Sequence, residues 1–441
     1  MKKTLLTICL VWMCFSLSAQ KIIDLSGKWS FSIDRQDNGE KEKWFSHTLN
    51  DFINLPGSMP EKLKGDEVTA KTQWTGSLYD SSYYYNPYME KYRKEGNIKF
   101  PFFLTPDKHY VGAAWYQKEV NIPADWKGER ILLFLERPHI ETTVWVNGQK
   151  TGMQNSLCVP HQYDITRYVR PGKCTITIRV DNRIKEINVG PDSHSITDQT
   201  QGNWNGIVGR ICLQTTPKTY FDDIQIYPEP EQKLARVKVV IKGTGTAKVK
   251  LSAESFNTDK KHIVPAIQQE IKLNKGVTET EMVLPMGNDM LLWDEFHPAL
   301  YKLKAEVTNG KKTEIKEIQF GMRRFEIKGK WFYVNGRKTQ LRGTVENCDF
   351  PLTGYAPMDV ESWERVFRIC RNYGLNHMRF HSFCPPEAAF IAADRVGFYL
   401  QPEGPSWPNH GPKLGLGQPI DKYLMDETIA LTKEYGNYAS Y

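Results

Sequence analysis

The hydrophobic pattern of this chain changes period near Arg323, and that change limits the folds open to it. Upstream, apolar and polar residues alternate in short runs, among them Trp29-Ser30-Phe31-Ser32-Ile33, Thr175-Ile176-Thr177-Ile178-Arg179-Val180, Ala235-Arg236-Val237-Lys238-Val239-Val240-Ile241 and Leu300-Tyr301-Lys302-Leu303-Lys304-Ala305-Glu306-Val307. Alternation with period two turns one face of each run toward a core, as half-buried strands require. Downstream, short apolar runs are separated by stretches with helical spacing. Val360, Trp363, Phe367 and Cys370 form one such stripe, with Asp359 placed to cap it and Gly374 to end it. The expected order there is strand Gln340–Thr344, helix from Asp359, strand His377–Phe380, helix Glu387–Arg395, strand Phe398–Gln401 and helix Asp421–Tyr435, the opening of a parallel α/β fold.

Turn chemistry divides the β part. Asn147-Gly148 supplies the positive φ that a two-residue hairpin needs, and Asn309-Gly310 marks a second turn. Residues 22–217 are expected to form one β-sandwich and 218–322 a second, immunoglobulin-like one without a cluster of catalytic residue types. Between the strands of the first lies a Tyr-rich, weakly periodic stretch from Asp66 to Tyr110, read as a long surface loop. The segment 323–441 is less than half the roughly 250 residues of a complete (β/α)8 barrel.

Residues 1–19 read as a signal peptide. Lys2 and Lys3 precede a mostly apolar run from Leu5 to Leu17, and Ser18-Ala19-Gln20 offers a small-residue cleavage site. The run is short for a membrane span, so a soluble exported protein is expected, with no membrane attachment after cleavage. Cys9 and Cys14 leave with that leader. Cys158, Cys174, Cys212, Cys348, Cys370 and Cys384 are scattered without a Cys-x-x-Cys pair. Their spacing argues against a metal site or a disulfide framework and leaves room for one bridge after export. The net charge of +7 is spread along the chain, which argues against a nucleic-acid groove. No cofactor is called for.

Several motifs together resemble glycoside hydrolase family 2, the β-galactosidase and β-glucuronidase family. They are Ala114-Trp115-Tyr116-Gln117-Lys118-Glu119-Val120, Val144-Trp145-Val146-Asn147-Gly148, Tyr163-Asp164-Ile165-Thr166, Val180-Asp181-Asn182, Trp204-Asn205-Gly206-Ile207-Val208-Gly209-Arg210, Phe320-Gly321-Met322-Arg323 and the run from Phe332 to Gly343, which looks like the first barrel strand. The resemblance implies a multidomain fold: a jelly-roll-like, sugar-binding β-sandwich, an immunoglobulin-like β-sandwich, and the first three β/α units of a TIM barrel that is incomplete here. It implies an exported glycosidase, in the periplasm of a Gram-negative bacterium, that removes terminal sugars from oligo- or polysaccharides with a retaining two-carboxylate mechanism.

The substrate-binding residues it implies are Arg342, Asn347, Asp349, Arg379, His381 and Glu403, with Arg342, Arg379, His381 and Glu403 expected at or just after the ends of barrel strands, where barrel chemistry gathers. Arg379 and His381 are expected to face the nonreducing sugar, His381 donating to a hydroxyl. Family members carry the acid/base in an Asn-Glu pair after the fourth strand and the nucleophile on a later strand. Both are expected beyond Tyr441, so the chain through Tyr441 is read as a fragment with no catalytic residue of its own. Glu346 and Glu403 match supporting positions and take neither role. After the second strand this chain reads Arg379-Phe380-His381-Ser382-Phe383-Cys384-Pro385 where better-known relatives read Arg-x-Ser-His-Tyr-Pro. After the third it reads Gln401-Pro402-Glu403 where Asp-Glu is usual. Neither sugar, linkage nor oligomeric state follows from the sequence. A non-catalytic, lectin-like sandwich protein is the competing expectation, and an adhesion protein with an unrelated α/β tail a more distant one.

Overall fold

The computed structural model describes residues 20–441 apart from 70, 77–81, 99–105, 186, 188, 191–192, 201, 351 and 408–412. The expected leader over 1–19 lies outside the described residues.

Two antiparallel sheets form the first sandwich. One contains, in spatial order, Gln149–Gln154, Glu141–Val146, Gly172–Asp181, Ala113–Ile122, Gly27–Asp34 and Asp51–Leu55. In the other, Ile22–Asp24, Gly206–Thr216, Arg130–His139 and His161–Asp164 pair in that order, and Gly57–Ser58 joins Gly206–Thr216. Trp29, Tyr116 and Ile178 from one sheet and Leu133, Ile211 and Leu213 from the other share one core, as their alternating positions require. Asn147 (φ 50°) and Gly148 (φ 76°) make the hairpin turn. The Tyr-rich stretch is closed at its base by Asp66–Glu67 pairing with Lys108–His109, and it carries a helical turn at Ser82–Tyr85 and a 3-10 segment at Pro87–Arg93.

The second sandwich is built on two very long strands, Leu234–Phe256 and Ile263–Pro285. Tyr220–Glu229, Leu300–Asn309 and Lys312–Phe320 complete it. The long pair slips register between Gly243 and Gly245, both at positive φ. A side chain there would oppose the bend. Val237, Val239 and Ile241 before the slip and Val249 and Leu251 after it therefore reach one core with Tyr301 and Phe320.

The last part is a three-stranded parallel sheet, Gly343–Glu346, His377–Phe380 and Tyr399–Gln401 in that order, with helices Val360–Asn372, Glu387–Val396 and Pro419–Tyr435 between and after the strands. Asp359 caps the first helix by accepting from the Ser362 amide at 2.8 Å. Gly374 (φ 79°) ends it, its amide bonded to the Arg371 carbonyl and that of Leu375 to Cys370. One expectation is corrected. The run Phe332–Gly343 is not the first barrel strand, and neither is Gln340–Thr344. Asn335 (φ 50°) and Gly336 (φ 77°) reverse the chain, so Trp331–Val334 and Arg337–Thr339 pair with Phe325–Lys328 in a separate small sheet. Parallel pairing starts only at Gly343.

This sheet is held to both sandwiches. Glu427, buried on the third helix, accepts from the backbone amides of Leu157 and Cys158 in the first sandwich at 3.0 and 3.1 Å. Asp394, inaccessible on the second helix, accepts from Gln319 of the second sandwich at 2.8 Å and from the Ala439 and Ser440 amides at 3.1 and 2.7 Å. Its own carbonyl accepts from the Trp293 indole at 2.8 Å. Buried carboxylates need this saturation of donors to remain tolerable.

Two buried histidines in the first sandwich give a pH test. Burial, reinforced by the charge of Arg137, lowers the His139 pKa to about 3. Burial lowers that of His161 to about 4, against the opposing hydrogen bond to the Ser156 carbonyl. Both are neutral when folded and become protonated near pH 6.5 when unfolded, so stability present above that pH is lost as pH falls through 4 and 3. By pH 5 the loss should be about 2 kcal/mol for each histidine. Denaturant unfolding between pH 7 and 4.5 should show that decline. His161→Gln, which keeps a donor toward Ser156, should flatten it by about one proton's worth. An unchanged slope would mean that His161 does not titrate this way.

Candidate active-site rim

The C-terminal ends of the three parallel strands form one rim, and five of the six expected substrate-binding residues stand on it. Arg379, the third residue of the second strand, lies in register with Val345 and Gln401 on its neighbours. Its Nε donates to a carboxylate oxygen of Glu403, which follows the third strand, and the pair is partly exposed. The His381 amide donates to the Glu346 carbonyl at 2.8 Å, extending the strand pairing by one residue. Its Nδ1 donates to Asn347 Oδ1 at 3.2 Å. Asp349 follows on the same loop, near His194.

Environment sets the state of these groups. Burial, with the nearby His194 and Arg379, lowers the His381 pKa, so the ring is neutral near pH 7. With Nδ1 holding its proton toward Asn347, the neutral ring offers Nε2 as an acceptor. Burial raises the carboxyl pKa values of Glu346 and Asp349. Glu346 is spoken for locally, accepting from the Cys348 and Asp349 amides at 3.0 and 3.3 Å.

Arg342 is the exception. It precedes the first strand, at the opposite end of the sheet from the rim. Its guanidinium donates to Gly374 O at 2.7 Å and to Glu295 of the second sandwich at 3.0 Å, and Asn376 donates to the same carboxylate. The misplacement has the same origin as the corrected strand: the hairpin at Asn335-Gly336 delays parallel pairing to Gly343, which moves Arg342 from a strand end to a strand start.

The sequence reading missed a contribution from the first sandwich. Three consecutive side chains of its loop reach the rim backbone. The Ser193 hydroxyl donates to Pro405 O, His194 Nδ1 to His381 O at 2.6 Å, and the Ser195 hydroxyl to Ser382 O at 3.0 Å. The rings of His194, His381 and Trp407 meet edge-on, with centroids 4.5 to 5.7 Å apart. The only sequence signal was a long polar segment between the strands ending at Asp181 and starting at Gly206. The same segment anchors the Tyr-rich stretch, Asp198 accepting from the Thr75 amide at 2.5 Å and lying 3.2 Å from His109 Nε2. A groove of about 920 Å³ between the first sandwich and the first two barrel helices counts Asp349 among its lining residues. Among the described residues, no group of three His, Cys, Asp or Glu is placed to hold a metal ion.

Two β-sandwiches leading into a parallel β/α sheet with a polar C-terminal rim define the sandwich–sandwich–barrel class of multidomain proteins. Residues 22–217 match "Glycosyl hydrolases family 2, sugar binding domain" and residues 219–323 match "Glycosyl hydrolases family 2". The chain belongs to glycoside hydrolase family 2. It is 24% identical over 334 residues to a β-galactosidase of Thermoanaerobacter pseudethanolicus, covering 71% of this chain and 42% of that protein. It is 27% identical over 309 residues to a putative β-glucuronidase of Formosa agariphila, covering 68% of this chain and 36% of that one. The fold is shared with a family 2 member from Bacteroides cellulosilyticus (TM-score 0.68, 19% identity, 95% of this chain and 51% of that chain). It is shared also with a Ruminococcus gnavus β-glucuronidase bound to D-glucaro 1,5-lactone (TM-score 0.69, 20% identity, 96% and 65%). The chain thus spans from about a third to two thirds of the length of these relatives.

The two arginines should separate on mutation. Arg342→Ala leaves Glu295 buried with Asn376 as its remaining partner. Because the Arg342 side chain is 46% exposed, the pair is screened, and the loss should be about 1 kcal/mol of stability. Chemical denaturation should detect that loss, while sugar binding stays at the parent level. A binding defect at unchanged stability would place Arg342 at the site after all.

Proposed function

We propose that this polypeptide is the front half of an exported, periplasmic glycoside hydrolase that removes terminal sugars by a retaining mechanism. The acid/base and nucleophile carboxylates would come from beyond Tyr441. The observation that carries this reading is the convergence of Asn347, Asp349, Arg379, His381 and Glu403 on the rim where barrel proteins do chemistry. The glycosidase names of its relatives support the reaction class.

Each residue has a role that follows from its geometry. Arg379 brings a fixed positive charge to the rim, and Glu403 holds its guanidinium in place. A cation there keeps a neighbouring nucleophile carboxylate ionised. His381, neutral and oriented by Asn347, accepts from a sugar hydroxyl through Nε2. Such a contact contributes to rate where it strengthens as the oxocarbenium-like transition state forms. Asp349 and Asn347 bound the same side of the subsite. The sandwich clamp fixes the backbone on which His381 is carried.

In the complete protein, Arg379→Ala should lower kcat/KM at least about a hundredfold, some 2.7 kcal/mol of transition-state binding, without unfolding it. His381→Ala should also lower it. A screen of nitrophenyl glycosides would supply the substrate for both assays. If both variants stay within about threefold of the parent, these residues only brace the rim and the assignment fails. The chain ending at Tyr441 should turn over none of the substrates.

A further inference from the structure

Three of the cysteines gather where the first sandwich meets the parallel sheet. Cys158, on a sandwich loop, and Cys384, on the loop after the second parallel strand, are both buried in the barrel core, and Cys348 packs at its margin. Arg137 draws the first two segments together. Its Nη1 donates to Leu157 O at 2.8 Å and to Cys384 O at 3.1 Å, so one nitrogen spans both backbones. Its Nη2 donates to Pro385 O at 3.2 Å and contacts the Tyr435 hydroxyl at 3.3 Å, and that hydroxyl donates to Cys158 O at 3.2 Å. Glu427 fixes the Cys158 amide from the other side. Within this frame the two thiols share one buried cluster and lie close enough to act on one another, while Cys384 Sγ donates to Pro385 O at 3.4 Å. Both are reduced in this structure.

We propose that Cys158 and Cys384 are an oxidation site that closes to a disulfide between the sugar-binding sandwich and the catalytic barrel. The reaction is thiol–disulfide exchange with a disulfide donor: two S–H bonds and the donor S–S bond break, one Cys158–Cys384 bond forms, and the donor leaves as two thiols. The bridge would tie the sandwich loop to the loop that carries His381 and Ser382, adding a covalent link beside the Ser193–Ser195 clamp. It does not rest on the glycosidase reading. The neighbouring Cys384 thiol and burial hold the Cys158 pKa well above its ordinary value, so the reactive thiolate is scarce once the interface has closed. Oxidation therefore belongs to folding, before the junction is buried.

The test is to refold the full chain from its reduced, denatured state with oxidised glutathione. Remaining thiols are then blocked with N-ethylmaleimide under denaturing conditions without reductant, and the protein is digested and analysed by mass spectrometry. The expected result is a Cys158 peptide linked to a Cys384 peptide, with N-ethylmaleimide on Cys174, Cys212, Cys348 and Cys370, and on Cys9 and Cys14 where the leader is retained. Reductant should lower the thermal midpoint by about 5 °C in the parent and not in the Cys158→Ser/Cys384→Ser double variant. N-ethylmaleimide on both Cys158 and Cys384, or a Cys348–Cys384 link, would overturn the proposal. The peptide map decides the matter even if the double variant folds poorly.

Discussion

Arg137 carries its guanidinium from a strand of the first sandwich into the junction with the parallel sheet, and much of the domain arrangement depends on where it donates. Its partners are carbonyls of the sandwich loop and of the second β/α loop, together with a tyrosine on the third helix. Among the described residues it forms no ion pair, so a charge is held in a buried place by backbone dipoles and one hydroxyl. Such a group tolerates little displacement, because any lost acceptor leaves a buried donor unpaired. It fixes the sandwich, the rim loop and the helix relative to one another.

Parallel sheets are ordinarily buried on both sides. Here the sandwiches supply part of the cover. Cys158 enters the barrel core beside Phe380 and Phe390. Trp293 of the second sandwich packs with Val334 and Tyr399. Val345, on the first strand, remains half exposed, as do Ile369 and Ile429 on the helices, so the cover is partial.

Local signals were legible in the sequence wherever the physics is local. The period-two runs became strands, the Asn-Gly turns became hairpins, and Asp359 and Gly374 bound their helix, because turn and cap preferences act over a few residues. Register failed where two local signals competed. A hairpin at Asn335-Gly336 overrode the reading of one continuous strand, and Arg342 was misplaced with it. Contacts between domains left no pattern to read. Ser193, His194 and Ser195 look like any polar loop until the fold brings them to the rim, and the closeness of Cys158 and Cys384 is a property of two distant segments.

The clamp from the sandwich takes its hydrogen bonds on the carbonyl oxygens of Pro405, His381 and Ser382, and of their side chains it meets the His381 ring, edge-on through His194. Every amino acid carries that oxygen. The identity of residues 382 and 405 can therefore drift without loosening these hydrogen bonds between one domain and the other. This separates what the rim presents from what supports it. A scaffold of this kind can change the chemistry of its rim by a few substitutions while its architecture stays the same.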